Sequence, residues 1–218
     1  MPSIGYTLTL QVSYSANSGS GAPSMQQSGP KTVEDLPYTL RITLSSTRPT
    51  RTGYSFLGWS KASNATSASY QPGEVFEYTF NAVTDNYAYT ASILLYAVWK
   101  KRTYTVAYKK GTSGSGTEVN DTKTYGVALT LRGAIFTRQG YEHVGWSTTD
   151  GGAQTYSLGS SYTKNEAITL YPVWKKKTQA YIRVGGSWKD SMIYIKVGGV
   201  WKEVTGAYVK VGGAWKST

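Results

Sequence analysis

The chain contains no cysteine, which excludes a disulfide framework and a thiolate metal site, so packing must supply its stability. It has a single histidine, His143, and 12 acidic residues against 23 basic ones. Few groups are therefore left from which to assemble an acid–base or metal centre. There is no Gly-x-Ser-x-Gly elbow, Walker loop, His-Glu-x-x-His pair or calcium loop. Asp85, Asp121 and Asp150 stand in polar, turn-like sequence, which is their ordinary place. The expectation is a non-enzymatic protein with no catalytic residues, no metal ligands and no cofactor. No apolar run approaches the length of a membrane span, so a membrane is not an expected partner. The start, Met1 to Tyr6, lacks the basic residues and apolar stretch of a secretory signal. If Met1 is the native start, the chain is not exported by that route.

Charge is also scarce, at 16% of 218 residues, below the roughly 25% of an average globular protein. What is plentiful is aromatic: 19 Tyr and 7 Trp bring aromatics to 14%, alongside 24 Gly. With many Ser and Thr and no long helix-forming runs, this composition predicts short strands joined by turns, a mainly β protein. The net charge of +11 raises nucleic acid as a partner. Much of the excess, however, is gathered in two clusters, Lys100–Arg102 and Lys175–Lys177, at the ends of apolar runs. There it serves to keep strand edges apart. Nucleic acid is the disfavoured partner; a charged bacterial surface or an acidic neighbouring subunit is favoured.

Internal repetition decides the architecture. One module runs from residue 4 to 101 and a second from 102 to 177. Each has a Tyr before a Gly-Ser-Gly turn, at Tyr14 with Gly19–Gly21 and at Tyr108 with Gly114–Gly116. Next comes Gly-Tyr-x-x-x-Gly-Trp-Ser, at Gly53–Ser60 and Gly140–Ser147. A Tyr-x-x-Gly turn follows at Tyr70–Gly73 and Tyr156–Gly159, and Leu-Tyr-x-Val-Trp-Lys closes each copy at Leu95–Lys100 and Leu170–Lys175. The interval between the two tryptophans is about 12 residues longer in the first copy, which places an insertion near residues 74–93. Lengthening a loop costs little closure entropy. Alternation through both aromatic motifs predicts strands, with Gly58 marking a bulge or a close approach. Tyr54, Trp59, Tyr96 and Trp99, with Tyr141, Trp146, Tyr171 and Trp174, are the expected structural core, because such rings bury so much area. His143 replaces the strand aromatic Phe56 and reads as a packing or surface variant.

These motifs, recurring twice in the same order, resemble the Listeria–Bacteroides repeat, the internalin B-type repeat of bacterial surface proteins and many phage structural proteins. The resemblance covers residues 4 to 177. It implies a small β-grasp-like module that acts as a spacer or adhesion unit without catalysis. The copies depart from the pattern at Tyr171-Pro172, where Tyr-Ala is usual, and at the insertion.

Residues 178 to 218 carry a different, shorter repeat: Tyr181–Lys189, Tyr194–Lys202 and Tyr208–Lys216, each with a Val-Gly-Gly-x-Trp-Lys core. A Gly-Gly pair between short strands predicts a two-residue hairpin loop, because a type I′ turn needs positive φ twice. One face of each hairpin then gathers a tyrosine, a cation and a tryptophan: Tyr181, Arg183 and Trp188; Tyr194, Lys196 and Trp201; Tyr208, Lys210 and Trp215. A cation across from each Trp suits a cation–π contact. Lone hairpins are marginal in water, so this segment is expected to dock or oligomerise, with a homotrimer the usual arrangement for fibre-like virion proteins. The same nine residues are the candidate docking or ligand-contact set, a bacterial surface polysaccharide being the ligand such faces suit. The units resemble those at the ends of phage structural proteins. Together these features predict a bacteriophage virion component: tail fibre, baseplate or capsid decoration. Its partners would be other virion proteins or copies of itself. A fragment of a bacterial cell-surface adhesin and a wall-carbohydrate-binding protein are the alternatives.

Overall fold

In a computed structural model the protein is described over residues 5–81, 88–177, 179–192, 194–203, 208–211 and 214–217. Every regular element among them is a strand. The chain divides into two compact units, Met1–Thr103 with Thr124–Gly126, and Tyr104–Lys123 with Val127–Thr218.

The first repeat comprises β1 (Tyr6–Ser15), β2 (Gln26–Val33), β3 (Tyr38–Thr43), β4 (Tyr54–Ser60), β5 (Val75–Phe80) and β6 (Ala88–Lys101). Its main sheet has the order β2-β1-β6-β4. The central pair, β1 and β6, is parallel from Thr7↔Ala88 to Ser15↔Tyr96, and both outer strands run antiparallel to their neighbours. A parallel centre with antiparallel flanks is a β-grasp-like sheet. Parallel neighbours require a long crossover, usually helical. Here the crossover contains the antiparallel ladder β3–β5, which pairs from Tyr38↔Phe80 to Thr43↔Val75. Alternation along β1 buries Leu8, Leu10, Val12 and Tyr14 on one face. They meet Leu40 and Ile42 of β3, Phe76 and Phe80 of β5, and Trp59 and Leu95 of the main sheet.

The second repeat comprises β7 (Thr103–Tyr108), β8 (Val119–Thr124), β9 (Leu129–Thr130), β10 (Tyr141–Ser147), β11 (Tyr156–Ser157), β12 (Ser161–Tyr162) and β13 (Ile168–Lys176). The order β11-β10-β13-β7-β8 repeats the plan, again with a parallel centre, β7 with β13. The ladder β9–β12 has only two residue pairs, and the parallel pairing spans only Ile168↔Val106 to Leu170↔Tyr108. The extra residues of the first copy therefore lengthen paired strands. They extend β5 and the front of β6; residues 82–87, also within that stretch, lie outside the described residues. A second lengthening, between Gly21 and Gly53, supplies the six-residue β3 that matches β5. Pro172, buried and paired with Trp146 in β13, lies just beyond the last parallel pair. A residue with no N–H to donate is tolerated there.

Both Gly-Tyr-x-x-x-Gly-Trp strands carry a bulge, between Phe56 and Gly58 and between His143 and Gly145. Gly58 has φ +134°, and a Cβ there would stand 2.6 Å from the Tyr70 carbonyl oxygen. The bulge turns Trp59 inward, with its backbone N–H bonded to that same carbonyl at 2.8 Å.

The last six strands form three separate two-stranded sheets: β14 (Gln179–Val184) with β15 (Ser187–Met192), β16 (Tyr194–Val197) with β17 (Val200–Glu203), and β18 (Tyr208–Val211) with β19 (Ala214–Ser217). Gly185 and Gly186 have φ of 59° and 84°, and Gly198 and Gly199 have 60° and 83°. These are the paired positive angles of a type I′ turn. The register follows from a two-residue loop, with Arg183 opposite Trp188, Lys196 opposite Trp201 and Lys210 opposite Trp215.

Candidate functional site

The aromatic positions sort into three kinds. Trp59 and Trp146 are wholly buried. Trp99 and Trp174 are half-buried against the rim of each core. Tyr54, Tyr96, Tyr141 and Tyr171 are half-buried and stand outside both core clusters, which differs from the expectation that all eight aromatics are core. The tyrosines inside the cores are Tyr14 and Tyr108, which packed against Trp59 and Trp146 with ring centroids 4.8 and 4.9 Å apart. Each accepts a backbone hydrogen bond at its hydroxyl, from Ser45 at 3.1 Å and from Arg132 at 3.2 Å. Burial holds both phenols above their ordinary pKa. Tyr54 and Tyr141 are instead covered by arginines, with Arg51 3.9 Å and Arg138 3.8 Å from the ring centroids.

His143 is buried in the second core. It lies edge-on to Trp146 at 4.5 Å and tilted against Trp174 at 5.4 Å. Its Nε2 is 3.0 Å from the Gly145 carbonyl oxygen, while Nδ1 has no hydrogen-bond partner among the described residues. Burial lowers its pKa, against a smaller upward pull from the Gly145 carbonyl. Among the described residues no group of three or more acidic or histidine side chains is placed to hold a metal ion.

Of the nine hairpin residues, side chains are described for Lys196 and Trp201; those of Tyr181, Arg183, Trp188, Tyr194, Tyr208, Lys210 and Trp215 lie outside the described residues. Lys196 Nζ is 5.8 Å from the centroid of the Trp201 ring, near the outer limit for a cation–π contact. Trp201 is 65% exposed. On the opposite face, Ile195, Val197 and Val200 are about half exposed or more. This hairpin thus presents an aliphatic face and an aromatic–cationic face, both open.

The first unit carries an open groove of about 980 Å³, walled by the Gly-Ser-Gly turn, the segment Arg48–Phe56 and the end of β6. The two loops are tied by reciprocal backbone hydrogen bonds between Ser20 and Thr50, at 2.8 and 2.9 Å. Trp99 forms the floor, its Nε1 donating to the Ala16 carbonyl at 3.0 Å and its ring set edge-on to Phe56 at 5.6 Å. Asn17 braces the turn from beneath by donating to the carbonyls of Ser63 and Ala97, at 2.7 and 2.9 Å.

Among the described residues three arginines line this groove, Arg48, Arg51 and Arg102, and no acidic residue does. Arg102 donates from Nε to the Tyr54 carbonyl at 3.2 Å. Among the described residues none of the three is ion-paired, whereas Arg41 is held by Glu77 at 2.7 Å and Arg132 by Asp121 at 2.5 Å. Arg48 and Arg51 escaped the sequence reading because they stand singly, between motifs. Their one sequence signal was the shared Arg-x-Gly-Tyr at Arg51 and Arg138.

A family model described as the Listeria–Bacteroides repeat domain matches residues 11–98 and again residues 104–173. A curated relative, a "Putative Gly-rich membrane protein" of Evansella cellulosilytica, is 29% identical over 130 residues. That match covers 57% of this chain but 14% of the relative, so the chain spans a small part of that protein's length. No solved structure matches the chain. With both copies matched in sequence, and with the same sheet built twice, the chain belongs to the Listeria–Bacteroides repeat domain family.

Proposed function

We propose that this chain is a non-catalytic display and attachment protein whose two repeats act as rigid spacers and whose C-terminal hairpins dock onto a partner or onto copies of themselves. The observation that carries the reading is the middle hairpin, which leaves Ile195, Val200 and Trp201 exposed on its two faces. A two-stranded ribbon with both apolar faces in water is marginal, and covering those faces is the physical route to stability. The finer reading is a bacteriophage virion component, in a tail fibre, baseplate or capsid decoration. It is supported by the likeness of the Val-Gly-Gly-x-Trp-Lys units to those that end phage structural proteins. Its partners are then neighbouring virion proteins or two further copies in a homotrimer. A second reading, a bacterial cell-surface adhesin, is favoured by the bacterial relative that shares part of the repeat region.

Sedimentation velocity over a concentration series tests the docking role. The full chain should self-associate, or bind a purified particle, and the triple variant Trp188→Ser, Trp201→Ser, Trp215→Ser should lose that association. A wild-type chain that stays monomeric and leaves both virions and cells unbound would sink the proposal.

A further inference from the structure

We infer that the arginine-lined groove of the first repeat is a binding site for an anionic, polyhydroxylated chain: a glycan or polyol polymer carrying phosphodiester or carboxylate groups. The groove belongs to the first unit and the hairpins to the second, so this site stands or falls independently of the docking role.

Charge is the first argument. Among the described residues the lining holds three arginines and no carboxylate, and guanidiniums without an ion-pair partner that line one concavity are suited to phosphate or carboxylate, which they grip in a fork. The remaining polar lining is hydroxylic, from Ser18, Ser20, Thr50, Thr52 and Ser55. Hydroxyls both donate and accept, so they match a ligand rich in hydroxyl groups. Trp99 supplies an apolar shelf. Its indole is fixed through the Ala16 carbonyl, so little side-chain freedom is lost on binding. The groove is open and the Ser20–Thr50 bridge is already made, which suits a chain lying across it. Tyr54 and Phe56 also line the groove, so single-stranded nucleic acid, which stacks its bases on such rings, is the competing ligand that the oligothymidylate arm below separates.

The second repeat is an internal control. Counting from the shared Arg-x-Gly-Tyr and Val-Trp-Lys motifs, Arg48 corresponds to Ile135, Ser55 to Glu142, Phe56 to His143 and Arg102 to Lys177. Arg138 remains, stacked on Tyr141 as Arg51 is on Tyr54. That stack is a shared structural feature of the family module here. What the first copy adds is the cation Arg48, where the second has Ile135, and a guanidinium at Arg102 in place of the Lys177 ammonium; it also lacks the opposing carboxylate of Glu142.

The test is titration of the full-length chain with a glycerol-phosphate oligomer, an oligogalacturonate, neutral maltohexaose and an oligothymidylate of matched charge. Binding is followed by calorimetry and by the Trp99 indole N–H resonance, identified with Trp99→Phe. The expected result is salt-sensitive binding of one or both anionic polyhydroxylated chains, with the Trp99 signal shifted and maltohexaose inert; which anionic chain binds tells phosphodiester from carboxylate. Arg48→Ser and Arg102→Gln should each weaken binding about fivefold, the upper end for a solvent-exposed ion pair. Arg138→Ser, in the second repeat, and Arg41→Ser, already paired with Glu77, should leave it unchanged; unaltered wild-type spectra away from the groove establish that each variant is folded. The proposal is overturned if neither anionic chain moves the Trp99 signal, if maltohexaose binds equally well, or if the control arginines matter as much as Arg48. Tighter binding of the oligothymidylate would likewise overturn it, in favour of nucleic acid.

Discussion

Trp59→Phe and Trp146→Phe remove the same atoms from matching places in the two repeats, yet they should not cost the same. Both indoles are wholly buried, so each substitution leaves a small void worth about 1 kcal/mol. The difference lies at the ring nitrogen. Trp146 Nε1 donates to the Arg132 carbonyl at 2.8 Å, on a segment held also by the Arg132 N–H bond to Tyr108 and by the Asp121 ion pair. Removing that donor strands an acceptor, a loss of about 1–3 kcal/mol. Trp59 Nε1 has no hydrogen-bond partner among the described residues, so its removal deletes an unsatisfied buried donor and offsets part of the void. The second unit should therefore lose about 2–4 kcal/mol and the first about 1 kcal/mol or less. Hydrogen exchange followed by mass spectrometry reads each unit's opening separately, as a two-unit chain requires. Equal losses, or a larger loss for Trp59→Phe, would refute the reasoning.

Three further outcomes follow from the same structure. Because the folded state holds the His143 pKa below its ordinary 6.5, the second unit binds fewer protons folded than unfolded. Its stability should be intact above that value and decline as pH falls below it, levelling once pH passes the depressed folded pKa. His143→Phe, which places in the second copy the residue found at Phe56, should flatten that dependence; exchange rates compared at about pH 7.5 and about pH 5.5 check it. Gly58→Ala forces a side chain into a left-handed backbone 2.6 Å from a carbonyl oxygen. It should destabilise the first unit by about 1–3 kcal/mol or more, seen as a lower denaturant midpoint for β4 and β6 exchange with the second unit unmoved. Tyr14→Phe removes the hydroxyl that accepts from Ser45, which should cost the first unit about 1 kcal/mol by the same readout.

Much of the architecture was legible in the residues. Period-two alternation marked the strands of both repeats, and paired glycines set the hairpin register. A period, however, identifies a face without saying what covers it. Tyr54 and Tyr96 alternate as a buried strand should, but the bulge at Gly58 and the stacked Arg51 put Tyr54 at the edge of the core instead. Tyr14 and Tyr108 read as landmarks before a turn, and only the fold shows them under the two tryptophans. The tryptophan spacing pointed to an insertion near residues 74–93, whereas the lengthening on the β3 side carried no motif to betray it.

By itself the amino-acid sequence determined the repeat number, the β class and the hairpin turns, because local backbone preference and side-chain alternation act over a few residues. Tertiary structure alone decided the groove. Arg48, Arg51, Trp99 and Arg102 come from segments about 50 residues apart in the chain, and none is distinctive where it stands. They become a site only because β4 pairs with β6 and the Ser20–Thr50 bridge closes the turn against them, bringing together charges that no stretch of sequence holds together.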